Sequence, residues 1–166
     1  MKTETIFSSK SDEWETPDAF FQELDDEFHF DLDACASDDN HKCDTYYTIA
    51  DDGLSQNWGG HTVWCNPPYS KVRDWIRKCY YEGHKPNTTV VCLVFSRTDT
   101  KWWWNYVQGR AEVRFVKGRI KFGGIANAPF PSALVIFRGP EEDPQMTWSD
   151  YEESTNDIII RSLEVG

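Results

Sequence analysis

The sequence predicts an α/β fold with a mostly parallel sheet and an antiparallel hairpin or edge near the C-terminus. Before residue 96, short apolar runs alternate with amphipathic segments, a pattern typical of parallel sheets with crossover helices. Further along, two strand-like runs are separated by only a Lys-Gly pair, which is typical of a hairpin. The length of 166 residues fits one domain with an ordinary hydrophobic core.

The first predicted elements are a helix and two strands. Thr16 and Pro17 are typical of an N-cap and a first helical position, and the amphipathic segment 18–24 follows them. Residues 28–33 alternate apolar and polar side chains, which predicts a strand. A polar, irregular stretch separates this strand from the next one, at residues 62–65.

A second helix and a long apolar strand follow. Residues 71–81 place apolar side chains on one helical face, and Gly83 is a natural end for that helix. The apolar run 88–95 predicts a buried strand, and residues 100–107 could form a short helix. The last predicted elements are hairpin strands at residues 112–116 and 119–122 and a buried strand at residues 132–138.

These elements form one domain between two less regular ends. Residues 1–10 show no periodicity and are predicted to be flexible, and the domain spans residues 11–140. Residues 141–166 form an acidic tail, in which the apolar run 158–160 could add an edge strand. The tail carries eight acidic side chains against one arginine, so it holds seven of the eleven net negative charges.

A local excess of positive charge contrasts with this acidic composition. Between residues 110 and 121 only Glu112 opposes five cations, which are Arg110, Arg114, Lys117, Arg119 and Lys121. Such a cluster can supply phosphate contacts even in an acidic protein, and a solvated strand face explains it equally well.

Membrane, secreted and metal-binding classes are disfavoured. No apolar run approaches the ~18 residues of a membrane span, and the N-terminus lacks the apolar region of a signal peptide, so we expect a cytoplasmic protein. The five cysteines contain no CxxC pair. We expect reduced cysteines in the core, without disulfides and without a metal.

The most informative motif is Asn66-Pro67-Pro68-Tyr69, directly after the predicted strand 62–65. Two prolines cannot continue a sheet ladder, so the strand must end here, and the following proline holds Asn66 extended. The turn offers the Asn66 amide and the Pro67 carbonyl as acceptors for an exocyclic NH2, and the Tyr69 ring for stacking. These groups suit a planar aromatic amine, and an ordinary proline-rich turn is the alternative.

A second strand end carries Asp31 and Asp33, followed by small residues from Ala34 to Ser37. Small residues let a ligand approach the backbone, and a carboxylate can hold an ammonium group or a ribose hydroxyl. Ligands of open α/β sheets bind beyond the carboxyl ends of the strands. The two strand ends together predict a charged cofactor beside a pocket for a planar amine, whereas either aspartate alone could be an ordinary turn residue.

These motifs resemble S-adenosylmethionine-dependent amino-methyltransferases, and most closely the phage-type, Dam-like DNA N6-adenine methyltransferases. The blocks that carry the resemblance lie in one order: residues 13–17, residues 30–36, Asp52-Gly53-Leu54 with Trp58, residues 64–70, Trp102-Trp103 and residues 118–122. The resemblance implies a Rossmann-like methyltransferase fold, S-adenosylmethionine as cofactor and DNA as substrate. It also implies a monomer or homodimer, acting in the host cytoplasm if a phage encodes it.

The resemblance further implies site residues. Cofactor contacts fall on Trp14, Thr16, Pro17, Asp31, Asp33, Ala34, Cys35, Ala36 and Asp52, and the catalytic motif consists of Asn66, Pro67, Pro68 and Tyr69. Thr16 and Pro17 would lie over the methionine end of the cofactor, and Asp52 would contact its adenine or ribose. The chain departs from the family at the cofactor floor, where Ala34-Cys35-Ala36 replaces the common glycine-rich sequence.

The chemistry of this motif can be derived from its groups. Adenine N6 is a poor nucleophile because its lone pair is delocalised into the ring. Acceptors on Asn66 and Pro67 for both N6 hydrogens would localise that lone pair and aim it at the methyl group. A base inside a duplex cannot be reached, so it must flip out, and Tyr69 is the candidate to stack on it.

Arg114, Lys117 and Arg119 are predicted to contact DNA and Trp103 to stack on bases, with core packing as the alternative for the tryptophans. Two other functions remain open. A protein-glutamine N5 methyltransferase would present a similar NH2 to the same motif, and a non-catalytic nucleic-acid-binding protein could retain a residual pocket. The tryptophan- and arginine-rich segment after residue 100 favours DNA, and the intact Asn66 motif favours an enzyme.

Overall fold

A computed structural model describes residues 15–123 and 126–141. Within these ranges the helices are α1 (Asp18–Phe28) and α2 (Val72–Gly83). The strands are β1 (Leu32–Asp33), β2 (Thr62–Cys65), β3 (Thr89–Phe95), β4 (Glu112–Phe115), β5 (Lys121–Phe122), β6 (Ala126–Asn127) and β7 (Ser132–Arg138). Residues 1–10, which were predicted to be flexible, and the acidic tail beyond Glu141 lie outside the described residues.

The main sheet is open and mixed, with the strand order β1-β2-β3-β7-β4. Strands β1, β2 and β3 are mutually parallel, and β7 lies antiparallel between β3 and β4. Strand β4 therefore runs in the same direction as the first three, so β7 is the only reversed strand of this sheet among the described residues. The prediction of a mostly parallel α/β sheet with an antiparallel C-terminal part is confirmed at this level.

The predicted hairpin between residues 112–116 and 119–122 is wrong. Strand β4 pairs with β7, and β5 pairs instead with β6 in a separate two-stranded sheet. Packing explains the difference, because Ile120 and Phe122 are buried against the same cluster as α1. The chain therefore leaves the sheet edge after β4 and crosses one face of the sheet, and Gly118 adopts a left-handed conformation (φ 80°) in that departure.

The core lies on both faces of the sheet because the two central strands bury both sets of alternating side chains. On β3, Val90, Cys92 and Val94 pack on the α2 face. The intervening side chains, Val91, Leu93 and Phe95, pack on the α1 face. This double burial explains the continuous apolar runs of β3 and β7.

Several element boundaries differ from the prediction near the first strand. Only the last two residues of the predicted strand 28–33 form a strand, since α1 continues to Phe28 and ends at His29 in a left-handed conformation (φ 57°). The Asp25 side chain then accepts a hydrogen bond from the Phe30 backbone at 2.8 Å, which supports the turn and leaves only Leu32–Asp33 as strand. At the other end of α1, Pro17 rather than Thr16 occupies the N-cap position.

Other boundaries agree closely with the prediction. Strands β2 and β7 have the predicted limits, and β3 begins one residue later than expected. Helix α2 buries Trp75, Ile76 and Cys79 on the predicted face and ends at Gly83. The short helix predicted at residues 100–107 contains a π-helical turn at Trp103–Val107. In the part of the chain that the structure describes, no helix has the length and apolar character needed to cross a membrane.

Candidate active site

The Asn66 motif lies where β2 leaves the sheet. Asn66 follows the buried end of β2, Pro67 is buried, and Pro68 caps a 3-10 turn that begins at Tyr69. The Asn66 amide is held by the chain itself, because its Nδ2 donates a hydrogen bond to Thr16 Oγ1 at 3.0 Å. The Thr16 hydroxyl, which was predicted to cap α1, therefore holds the Asn66 amide instead.

Asn66 lines two adjoining depressions. The first, which we call the cleft, holds about 630 Å³ of empty space, open solvent included, and lies over the segment after β1. The second, which we call the aromatic pocket, holds about 320 Å³ of empty space, open solvent included, and is lined by Tyr69, Phe95 and Phe122 among others. Because Asn66 belongs to both walls, a group bound in the cleft and a group bound in the aromatic pocket would meet at this residue.

The cleft brings together four of the nine residues predicted for cofactor contact. Thr16, Asp33, Cys35 and Ala36 line it together with Asn66. A neighbouring depression, with about 830 Å³ of empty space, open solvent included, extends it and is lined by residues that include Ala34, Cys35, Ala36, Ile49, Asp52 and Pro68. The two depressions share Cys35, Ala36, Ile49 and Pro68, so they form one elongated groove.

Asp33 is the buried acid of this groove, at 3% exposure. Burial raises the pKa of its carboxyl, while hydrogen bonds from the backbone N–H groups of Lys42 (2.9 Å) and Cys35 (3.3 Å) favour the ionised form. These bonds tie the 35–42 loop to the strand end. Asp33 therefore shapes the groove as well as placing a carboxyl in its wall.

Asp52 lies at the other end of the groove, on the turn before Gly53. It adopts a left-handed conformation (φ 52°), which aspartate tolerates better than most residues. Its carboxylate forms no hydrogen bond or ion pair with any residue that the structure describes. The next residue must be glycine, because a Cβ on Gly53 would lie 2.2 Å from the Ala34 carbonyl oxygen.

Two residues predicted for cofactor contact, Asp31 and Pro17, are placed differently. Asp31 lies at the opposite, amino end of the parallel strands, where its carboxylate accepts a hydrogen bond from the Thr62 backbone at 2.8 Å and contacts His61 at 3.3 Å. Pro17 caps α1 and, like Asp31, is absent from the described groove walls. Trp14 lies outside the described residues. The cofactor roles predicted for Asp31 and Pro17 are not supported by their positions.

The Tyr69 ring forms part of an aromatic cluster beside Asn66. Its centroid lies 4.7 Å from that of Phe95 and 6.2 Å from that of Phe130, and the Phe130 ring is nearly parallel to it. The Tyr69 hydroxyl accepts a hydrogen bond from Arg97 Nη1 at 3.2 Å. Tyr69 is thus fixed at both its ring and its hydroxyl, at the wall of the aromatic pocket.

Arg97 was missed by the sequence reasoning. Its guanidinium forms two hydrogen bonds of 2.9 Å to Asp99 and lies 4.7 Å from the centre of the Phe130 ring. The hydrogen bonds lower the pKa of Asp99 and raise that of Arg97, so both stay charged. The sequence could have indicated Arg97, because the predicted strand 88–95 is followed by polar residues. In a parallel sheet these residues lie at the carboxyl ends of the strands, as the Asn66 motif does.

Two residues predicted to contact DNA have structural roles instead. Trp103 is 2% exposed and packs in the core on the α2 face, so it cannot stack on a base. Arg114 forms two hydrogen bonds of 2.8 Å to Glu27 and one of 2.6 Å to Glu112. Its guanidinium is therefore already occupied by two carboxylates.

Other exposed groups lie at the carboxyl ends of the parallel strands, where Asn66 is found. Lys117 and Arg119, which were predicted to contact DNA, are both exposed in the segment that follows β4. Trp104 is 60% exposed, and its indole N–H donates to the Thr98 carbonyl in the loop after β3. Since β3 and β4 run parallel to β2, these loops emerge on the same side as the Asn66 motif.

The fold also gathers three cysteines that the sequence reasoning treated separately. The sulfurs of Cys65, Cys79 and Cys92 lie within 4.8 Å of one another, and all three residues are fully buried in the core on the α2 face. Burial raises the pKa values of Cys65 and Cys79, which favours neutral thiols. The three cysteines lie close together because β2 and β3 pack against α2. The absence of a metal stays a prediction.

Comparisons with known proteins agree with the resemblance seen in the sequence. A sequence model of the family described as DNA N-6-adenine-methyltransferase (Dam) matches residues 2–147. The chain is 32% identical over 117 residues to the DNA N-6-adenine-methyltransferase of Haemophilus phage HP1 (strain HP1c1), covering 69% of this chain and 68% of that protein. It is 31% identical over 108 residues to the DNA N-6-adenine-methyltransferase of Escherichia phage T1, covering 64% of this chain and 45% of that protein. The chain therefore belongs to the Dam family of DNA N-6-adenine-methyltransferases.

Proposed function

We propose that this chain transfers a methyl group from S-adenosylmethionine to the exocyclic N6 of an adenine in DNA, after that base has flipped into the aromatic pocket. The observation that carries the proposal is the position of Asn66 in the walls of both the groove and the aromatic pocket. Family membership supports DNA adenine as the substrate. The position of Asn66 supports a reaction at the boundary between two binding sites.

The groove offers hydrogen-bond acceptors that support a site for S-adenosylmethionine. Carboxylates at Asp33 and Asp52 can accept hydrogen bonds from an ammonium group or from ribose hydroxyls. Ile49 lines the groove but is 89% exposed, so a bound adenine ring would cover apolar surface that otherwise faces water. Lys42 also lines the groove, where its ammonium group donates a hydrogen bond to the Asp18 carboxylate at 2.6 Å. When bound, the cofactor would supply an electrophilic methyl group.

The contribution of Asn66 is to orient the adenine amine. Asn66 Nδ2 donates a hydrogen bond to Thr16 Oγ1, and this bond fixes the orientation of the amide. The amide oxygen, on the other branch of the amide, would then point toward the substrate amine. That oxygen and the Pro67 carbonyl would accept the two N6 hydrogens, which favours a localised lone pair on N6. Acceptors fixed in advance lower the barrier because they need no rearrangement during reaction.

Tyr69 and its neighbours would hold the flipped base. Stacking of a base on an aromatic ring contributes about 1–3 kcal/mol and tolerates any planar ring system. The hydrogen bond from Arg97 and the contact with Phe95 fix the Tyr69 ring before a base arrives. This fixed ring lowers the entropic cost of binding the base.

DNA would approach the carboxyl ends of the parallel strands, where Asn66 lies. Lys117 and Arg119 are the described cations that we assign to phosphate contacts, and Trp104 replaces Trp103 as the stacking candidate. Each phosphate contact made by these cations adds about one unit to the slope of log affinity against log salt, so binding to DNA should weaken as salt is added. The oligomeric state, monomer or homodimer, stays a prediction.

The test is methylation with labelled S-adenosylmethionine followed by mass spectrometry of the products. Separate reactions would contain adenine-containing duplex DNA, the same DNA as single strands, and a glutamine-containing peptide. We expect N6-methyladenine in at least one DNA reaction and no label in the peptide. Label on the peptide, label on cytosine, or no transfer to any DNA would overturn the proposal.

A further inference from the structure

The aromatic pocket contains a polar group that the mechanism above does not use. Ser132, the first residue of β7, lines this pocket together with Asn66 and Tyr69 and is 1% exposed. Its hydroxyl oxygen is buried and forms no hydrogen bond with any residue that the structure describes. Buried hydroxyls are rarely left without a partner, because burial removes the water that would otherwise bind them.

The surrounding backbone holds Ser132 firmly in place. Ser132 is paired with Phe95 across the β3–β7 ladder, and its carbonyl accepts a hydrogen bond from Val116 N at 3.0 Å. On the preceding residue, the Pro131 carbonyl accepts a bond from Ser96 N at 2.8 Å. The missing partner is therefore specific to the side chain, and rotation about its single torsion can redirect the hydroxyl without moving the strand.

An adenine in this pocket would supply the missing partner. Beside its amine, adenine carries two ring nitrogens, N1 and N7, that accept hydrogen bonds and have no hydrogen of their own. A serine hydroxyl can donate to either. Guanine has an oxygen in place of the amine, so the Asn66 acceptors would reject it while the ring remained the same size.

We propose that Ser132 Oγ recognises the flipped adenine by donating a hydrogen bond to a ring nitrogen beside the amine. This inference rests on the proposed function. Asn66 and Pro67 then read the amine, Tyr69 reads the planar ring, and Ser132 reads a neighbouring acceptor. Among the described residues this hydroxyl has no partner, and the bound adenine would supply one.

The chain offers a matched control for a serine-to-alanine change. Ser96 also has a buried hydroxyl with no described partner, it lies beside Pro131 on the neighbouring strand end, and it is absent from the described wall of the aromatic pocket. Ser132→Ala and Ser96→Ala thus remove the same group from adjacent positions, only one of which would touch the base.

The experiment measures kcat/KM for both variants and the parent on three DNA substrates. These carry adenine, 7-deazaadenine or 1-deazaadenine at every adenine position, which avoids the need to know the recognition sequence. We expect Ser132→Ala to lose roughly tenfold on adenine DNA, the typical effect of one hydrogen bond to substrate. The deaza base that lacks the nitrogen bound by Ser132 should reduce the parent's kcat/KM by a similar factor. The same base should cause no further loss in Ser132→Ala, because that variant has already lost the hydrogen bond. Ser96→Ala should behave like the parent.

The outcomes separate this inference from the proposed function. If the parent fails to methylate natural adenine, the proposed function itself is wrong. If the parent is active, two results would overturn the role of Ser132 alone. One is a kcat/KM of Ser132→Ala equal to that of the parent. The other is that each deaza base reduces the kcat/KM of Ser132→Ala by the same factor as that of the parent. Thermal denaturation provides an independent readout, because loss of an unpaired hydroxyl should leave the melting temperature of Ser132→Ala unchanged or raised.

Discussion

Replacing Thr16 by valine should slow methyl transfer while preserving the fold. Thr16 is 2% exposed, and its hydroxyl accepts the hydrogen bond from Asn66 Nδ2 at 3.0 Å. Valine keeps the branched shape but removes this acceptor. Loss of its acceptor costs a buried donor about 1–3 kcal/mol, which is an upper range for the half-buried Asn66, so valine should hold the amide less firmly in the orientation that the reaction needs.

The expected rate follows from that free energy. Each 1.4 kcal/mol corresponds to about a factor of ten in rate, so loss of the whole orienting bond would slow transfer by about 5- to 150-fold. Thr16→Ser keeps the hydroxyl and should stay within about threefold of the parent, since only a methyl group is removed.

The assay is single-turnover methylation at saturating DNA and cofactor. Because Thr16 also lines the cleft, calorimetry should measure cofactor binding separately. A Thr16→Val protein that reacts at the parental rate would refute the orienting role of Thr16. Equal slowing of Thr16→Ser and Thr16→Val would refute it too, because the hydroxyl would then be irrelevant.

Three further predictions concern DNA and cofactor binding. Tyr69→Ala should weaken binding of DNA by about 1–3 kcal/mol in equilibrium titrations, and Tyr69→Phe should lose less because it keeps the ring; equal losses would argue against stacking. Charge reversal at Lys117 and Arg119 should reduce the slope of log affinity against log salt by about one unit per phosphate contact, whereas Arg114→Gln should leave the slope unchanged and lower the melting temperature. An unchanged slope after both reversals would remove these cations from the DNA surface. Asp52→Asn should weaken binding of S-adenosylmethionine in calorimetry without changing the circular dichroism spectrum, and parental affinity would exclude a contact by that carboxylate.

The Asn66 motif could be predicted from sequence because its structure is local. Proline chemistry ends a strand wherever it occurs, so the end of β2 and the exposed turn at Asn66 follow from adjacent residues. The strand end at Asp33 and the small residues after it were recognised for a similar reason. What the sequence could not indicate is that Thr16, fifty positions away, holds the Asn66 amide.

The errors at the DNA surface have the same origin. Arg114 looked available because its principal partner, Glu27, is 87 positions away. Three consecutive tryptophans gave no indication of which one faces water. In the structure Trp102 and Trp103 are buried and Trp104 is exposed. The hairpin failed because burial of Ile120 and Phe122 over the sheet outweighed a short turn signal.

Asp31 and Asp33 illustrate a limit of residue type as a guide. The two carboxylates are two positions apart on one extended segment and looked equivalent in the sequence. Asp31 instead accepts a backbone hydrogen bond at the start of the parallel strands, and Asp33 is buried in the wall of the cleft. The direction of the strand, known only once β1 is paired with β2, decides which acid can reach a ligand.

The central claim is that Asn66 orients the reacting amine, and Asn66→Ala tests it most directly. Single-turnover methylation of adenine-containing DNA should be compared for the parent, Asn66→Ala and Asn105→Ala, the last removing an exposed asparagine away from both pockets. Loss of a preorganised acceptor typically costs about 100- to 1000-fold in rate. We expect a loss of this size for Asn66→Ala with cofactor binding retained, and a parental rate for Asn105→Ala. An Asn66→Ala protein that produces N6-methyladenine at the parental rate would contradict the account.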